Sequence, residues 1–300
     1  MDLVVKSPRI PSVGETILGE DFIMTPGGKG ANQAVAAAKL GAEVYFIAKL
    51  GEDIFAEQSL NNFKKEAINT KYIIQTKESP SGVALITVDS AGNNVIVVAP
   101  GANQKLSPED VEKAQSVIAS SGALVAQLEV PLETVEFAAR LANRSGVPFI
   151  LDPAPAQKLG AEFLKMVDVL TPNETEARIL TGIEITNEES ARTAAKNLLE
   201  YGIKAVVLTM GAKGFLLATC DKTELVPAVE VDAVDTTAAG DAFTGTLAVG
   251  LAQGKTLADA ALFANYAAAL SVTKMGAQSS MPTREAVETF MKKVCSRSKQ

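Results

Sequence analysis

The chain has 300 residues, 47% of them hydrophobic, which suffices for a full buried core and fits one large α/β domain. A formal net charge of −7 with no basic run argues against nucleic acid and against an anionic membrane surface, and no apolar run is long enough to span a bilayer. Two cysteines and no histidine exclude a disulfide scaffold, a cysteine-rich zinc site and any Ser-His or Cys-His mechanism, leaving carboxylates as the natural general bases. The first residues lack the charged start and cleavage site of a signal peptide, so a cytoplasmic protein is expected.

In chain order, residues 3–5 read as the end of a strand and residues 17–24 as an apolar stretch with two acids inside it. Pro26, Gly27 and Gly28 lead into an Ala-rich helix over residues 31–40 that Gly41 stops. Residues 83–88 and 95–98 are short strands around Asp89-Ser90-Ala91-Gly92-Asn93-Asn94, a hairpin turn by its Gly and Asn content. From Ser107, an N-cap followed by Pro108 and two acids, short apolar strands over 123–128, 147–151, 167–170 and 205–209 alternate with helices over 132–145, 174–180 and 188–201. That alternation predicts a doubly wound, mainly parallel sheet whose ligands bind at the carboxyl ends of the strands. A glycine turn, Thr209-Met210-Gly211-Ala212-Lys213-Gly214, links two strands, and an apolar helix over 257–272 carries one polar residue, Asn265. No repeat or linker interrupts the chain, which is read as one domain over 1–300.

The chemistry centres on Val234-Asp235-Thr236-Thr237-Ala238-Ala239-Gly240-Asp241-Ala242-Phe243. A helix starting near Ala238 leaves the N–H groups of Ala238, Ala239 and Gly240 without intrahelical partners and backed by the positive end of the helix dipole, a place for an anion. Asp241 beside that anion would repel a phosphate unless it takes a proton from an attacking hydroxyl; the plain alternative is an ordinary first-turn acid. In Gly27-Gly28-Lys29-Gly30-Ala31-Asn32-Gln33-Ala34 the glycines allow close backbone approach, and Asn32 offers a donor and an acceptor to a sugar diol. The octet is neither a Walker A loop nor a dinucleotide fingerprint. Glu129 sits at a strand's carboxyl end and would point into the crevice. Asn173 with Glu176 three residues on reads equally as a capping pattern that needs no ligand.

These two motifs, in this order, resemble those of the ribokinase (PfkB-type) carbohydrate kinases, and the matches run from Asp2 to Pro282. Many members carry Gly where this chain has Ala238. The resemblance implies a Rossmann-like core with a small β-sheet lid, its strands within about 1–25 and 72–100, lying over the sugar and often pairing with a second subunit in a homodimer. It implies a first core strand ending in Gly-Ser-x-Asn-x-Asp, of which Asp2 is the surviving match; a frayed terminal Asp is the alternative. It assigns the sugar to Asp2, Gly28, Lys29, Gly30, Ala31, Asn32 and Glu129, with Asp241 as base and Ala238, Ala239 and Gly240 as anion hole. Nucleotide contacts fall to Asn173, Thr209, Met210, Gly211, Ala212, Lys213, Gly214, Gly240 and Asn265, although a hydrogen-bonded buried Asn is the ordinary reading of Asn265. Glu176 would reach Mg²⁺ through water, and Asp235, Thr237, Ser271, Lys274, Gly276 and Ser280 would surround K⁺. The octet's wording lies nearest the ribokinases, which implies ATP-dependent phosphorylation of D-ribose at its 5-hydroxyl. The alternatives are a kinase for another small sugar or nucleoside, such as deoxyribose or fructose, and a sugar-binding relative without catalysis.

Overall fold

The computed structural model describes residues 1–297. The chain opens with β1 (Asp2–Lys6), β2 (Phe22–Thr25), α1 (Lys29–Lys39), β3 (Ala48–Gly51), α2 (Ile54–Lys65) and β4 (Ile73–Thr76). A hairpin of β5 (Val83–Val88) and β6 (Asn94–Ala99) follows, then α3 (Pro108–Glu112) and α4 (Gln115–Ser120). The alternating part runs β7 (Leu124–Ala126), α5 (Leu132–Ser145), β8 (Phe149–Leu151), α6 (Ala161–Leu164), β9 (Val169–Leu170), α7 (Glu174–Thr181), α8 (Glu188–Glu200) and β10 (Ala205–Thr209). It ends in β11 (Phe215–Thr219), β12 (Thr223–Val226), α9 (Ala239–Ala252), α10 (Leu257–Ser271) and α11 (Arg284–Arg297).

The six-stranded core sheet has the order β12-β11-β10-β9-β8-β7, parallel from β7 to β10 and antiparallel at β11 and β12. Its short central strands are buried on both faces, as a parallel sheet covered by helices requires. Phe149 and Leu151 face a cluster with α5 and α8, while Ile150 faces α9 and α10. Helix α9 is buried from Asp241 through Gly250 and packs against both α1 and α10. Gly245 makes the α1 crossing possible: a Cβ there would stand 2.6 Å from the Gln33 carbonyl and 2.9 Å from the Ala36 methyl. That close approach brings the two sequence motifs together.

The lid is a four-stranded sheet, β2-β1-β5-β6. Its register places Asp2, Ala84 and Val98 in one row and Val4, Ile86 and Ile96 in the next, on the face that covers the interior. The opposite rows, Met24-Leu3-Leu85-Val97 and Phe22-Val5-Thr87-Val95, look outward, leaving a largely apolar exposed face.

Residues 3–5 lie in the lid, within the 1–25 stretch expected to supply its strands. Two expectations change. Within residues 17–24 only the last three join a strand, Phe22–Thr25. Within the 72–100 stretch β4 leaves the lid and pairs with β3 in a separate two-stranded parallel sheet. Between β3 and β7 lies a cavity of about 1090 Å³. Leu124 and Leu128 send their amides toward β8, to Pro148 and Ala154, so by alternation those of Val125 and Gln127 face this cavity. Ile118 and Ala138 line one of its faces and Ala248 and Ala252 the other.

Candidate active site

Ala238 adopts the left-handed conformation, φ 59°, as N-cap of α9. This turns the loop so that Gly240, beside which a Cβ would find open space, borders a cavity of about 160 Å³. The amides of Gly240 and Asp241 have no intrahelical partner by position. The anion hole differs from expectation at Ala239, whose N–H donates to the Thr236 carbonyl at 3.2 Å. Lys29, Asp152, Asn173, Glu176 and four threonines, Thr209 among them, add to that cavity's polar lining, with Lys29 as its one cationic side chain among the described residues.

Asp241 is buried between this cavity and the larger one, which Asp2, Gly28, Asn32 and Glu129 also line. Asn32 Nδ2 donates to Asp241 Oδ2 at 2.8 Å, and Gln33 Nε2 donates to Oδ1 at 3.1 Å. The Asn32 Oδ1 atom is buried with no partner, an acceptor awaiting a donor. Gly28, at φ 91°, turns the backbone so that Lys29 N–H donates to Glu129 Oε2 at 2.9 Å. Asp2 folds against Gly27, where a Cβ would overlap its carboxylate.

Four acids, Asp241, Asp152, Glu129 and Glu176, thus surround Lys29, with Asp2 further along the larger cavity. Burial raises the pKa of Asp241, against the opposing effects of Lys29, Asn32 and Gln33. Burial likewise raises Asp2, Glu129 and Glu176, and pushes Asp152 up to about 8. Burial would lower Lys29, but Asp241, Asp152, Glu129 and Glu176 together hold it above the usual lysine value. The site is short of positive charge and suited to a polyanion that brings cations with it.

The pfkB family carbohydrate kinase model matches residues 1–284. The chain belongs to this family. A ribokinase of Haemophilus influenzae is 45% identical over 290 residues, covering 97% of this chain and 95% of the relative. A deoxyribokinase of Salmonella typhimurium is 41% identical over 292 residues, covering 97% and 95%. The structure of Arabidopsis thaliana ribokinase complexed with ribose and ATP superposes with a TM-score of 0.90 at 33% identity, covering 97% of this chain and 95% of that one.

In this pfkB-family kinase the residues expected to bind sugar, nucleotide and Mg²⁺ divide into three groups. Asp2, Gly28, Lys29, Gly30, Ala31, Asn32, Glu129 and Asp241 meet around the larger cavity. Asn173, Glu176, Thr209, Ala238, Ala239 and Gly240 meet around the smaller one. Asn173 and Glu176 form the capping box, Glu176 N–H donating to Asn173 Oδ1 and Asn173 N–H to Glu176 Oε2, each at 2.8 Å, while both side chains still face the cavity. Capping and ligand binding are therefore compatible. Met210, Gly211, Ala212, Lys213, Gly214 and Asn265 do not line either cavity. Lys213 pairs with Glu174 at 3.0 Å, and Asn265 Nδ2 donates to the Pro227 carbonyl at 2.9 Å, the ordinary role for a buried amide.

The loop ahead of α9 is tied to the segment after α10. Asp235 Oδ2 accepts from Gly276 N–H at 2.8 Å, its Oδ1 accepts from Thr237 N–H at 2.9 Å, and its own N–H donates to the Val272 carbonyl. Burial opposes ionisation of Asp235, but the Thr237 and Gly276 donors outweigh it and keep its pKa low. Ser271 and Ser280 turn their hydroxyls to the carbonyls of Ala268 and Ala277. Gln33 and Asp152 were missed as site residues, although Asp152 directly follows the apolar strand of residues 147–151, where a ligand-facing acid belongs.

Proposed function

We propose that this chain transfers the γ-phosphoryl group of ATP to the 5-hydroxyl of D-ribose, with Asp241 as the base. The observation that carries this reading is the place of Asp241, in the first turn of α9 and on the boundary of two cavities, one lined by amides and Lys29, the other by Asp2, Asn32 and Glu129. The sugar would lie under the lid, its diols bonded to Asp2 and to the free Asn32 acceptor. Gly240 and the neighbouring N-terminal amides of α9 would meet the transferred phosphoryl group, with Lys29 compensating its charge. Asp241 would accept the hydroxyl proton, and no covalent enzyme intermediate is needed. The ribokinase relatives and the ribose complex of the Arabidopsis protein support ribose as the acceptor.

Two cations would serve the reaction. Among the described residues no group of three or more His, Cys, Asp and Glu side chains is disposed to hold a metal, so Mg²⁺ would sit on phosphate oxygens and water, with Glu176 reached through water. K⁺ would lie at the loop that Asp235, Thr237 and Gly276 draw together, with carbonyl groups of Ser271, Lys274 and Ser280 as further ligands, and it would fix the turn of the anion hole. Replacing K⁺ by tetramethylammonium at constant ionic strength would lower the rate; equal rates would remove this site. The outward apolar rows of the lid would join two subunits in a homodimer. A cytoplasmic location accords with a fold in which no described helix is long and apolar enough to cross a membrane.

The test is Asp241→Asn. It should bind ribose nearly as the unaltered chain does while kcat falls roughly 10²–10⁴-fold. A variant with near-normal kcat would overturn the mechanism.

A further inference from the structure

Asp241 is held by amides from two adjacent positions of α1, and these differ in what else they touch. Asn32 keeps an unpartnered acceptor in the sugar cavity. Gln33 has no amide hydrogen left to offer a substrate: its Nε2 donates to Asp241 Oδ1 at 3.1 Å and to Asp152 Oδ2 at 2.7 Å, while its Oε1 accepts from Gln127 Nε2. The side chain is buried, 3% exposed, and the Gly245 crossing clamps its backbone. Its bonds reach the residue after β8 and the residue after β7, so the base is tied to the rigid core sheet rather than to α9 alone.

We propose that Gln33 is a positioning residue for phosphoryl transfer, holding one orientation of the Asp241 carboxylate when Asn32 turns to the sugar. The inference rests on the reading of Asp241 as the base. An unanchored carboxylate on χ2 rotates broadly, and small misplacement of a base costs much of the rate. The groups facing Asp241 are Lys29 of α1, Asp2 of β1, Glu129 and Asp152 beyond β7 and β8, and Glu176 of α7. All of them persist in a Gln33 variant, so a change in pH profile reports the lost amide.

The experiment compares Gln33→Met, similar in length but without a donor, with the unaltered chain and with Asp241→Asn. For Gln33→Met, kcat should fall about 10- to 100-fold with ribose KM unchanged within about threefold. Its acid limb should move to higher pH, because the ionised forms of Asp241 and Asp152 each lose a donor. Gln127→Met, at the cavity rim, should shift both readouts the same way by less, and it decides the matter if Gln33→Met does not fold. An unaltered kcat and pH profile in the folded variant, or a kcat loss matched by a rise in KM with the pH profile unmoved, would overturn the proposal. Activity retained by Asp241→Asn would instead remove the base reading on which it stands.

Discussion

Asp152 is a buried acid of the site, held by the Gln33 amide beside Asp241 and Glu176. Its pKa rises to about 8 because burial disfavours the carboxylate, and nearby Asp241 and Glu176 add to this. The folded value lies above the unfolded one, so its contribution to stability is complete below the ordinary carboxylate pKa and is lost as pH rises toward about 8. The melting temperature should therefore decline between about pH 5 and 8, and Asp152→Asn should flatten that decline. An identical slope in both proteins would show that Asp152 is not protonated in the fold. Asp241 and Asn32 were legible as residues because their types have chemistry that a helix start or a glycine loop makes useful. Gln33 was not, since nothing in one sequence tells an amide that touches substrate from one that supports its neighbour. The engagement of Ala239 with Thr236 was equally hidden, because it depends on the left-handed turn at Ala238.

At the scale of elements, the α1–α9 crossing decides whether there is a site. Asn32 and Gln33 on one helix reach Asp241 on the other only because Gly245 lets the backbones approach. Gly245→Val would force the helices apart and overpack the crossing, at a cost of about 1–3 kcal/mol. It should lower both the melting temperature and kcat, the latter by roughly 10²-fold as the base shifts. A destabilised variant with full kcat would show that the crossing serves stability alone. The alternating strands and helices after Ser107 were legible because short apolar runs and capped amphipathic helices follow different periods. Helix α9 was legible from its Phe243, Leu247 and Leu251 face, whereas the stretch of α2 and β3–β4 carries no motif.

The whole molecule sets a helix-covered sheet beneath a lid whose outer face is apolar. Leu85 and Val97 stand in one outward row. If that face joins two subunits, Leu85→Lys with Val97→Lys should halve the sedimenting mass and weaken ribose binding; an unaltered mass, whether monomeric or dimeric, would remove the lid as the contact. The segments that form the lid were legible through the resemblance, whereas their strand order was not, because strand pairing depends on long-range register that periodicity does not carry. The most direct measurement is ATP-dependent transfer to D-ribose, 2-deoxy-D-ribose and D-fructose, with the phosphorylated carbon identified by NMR. The account predicts the highest kcat/KM for D-ribose and a single product phosphorylated at C5. Preference for another sugar, a product phosphorylated at C1, or no transfer at all would contradict it.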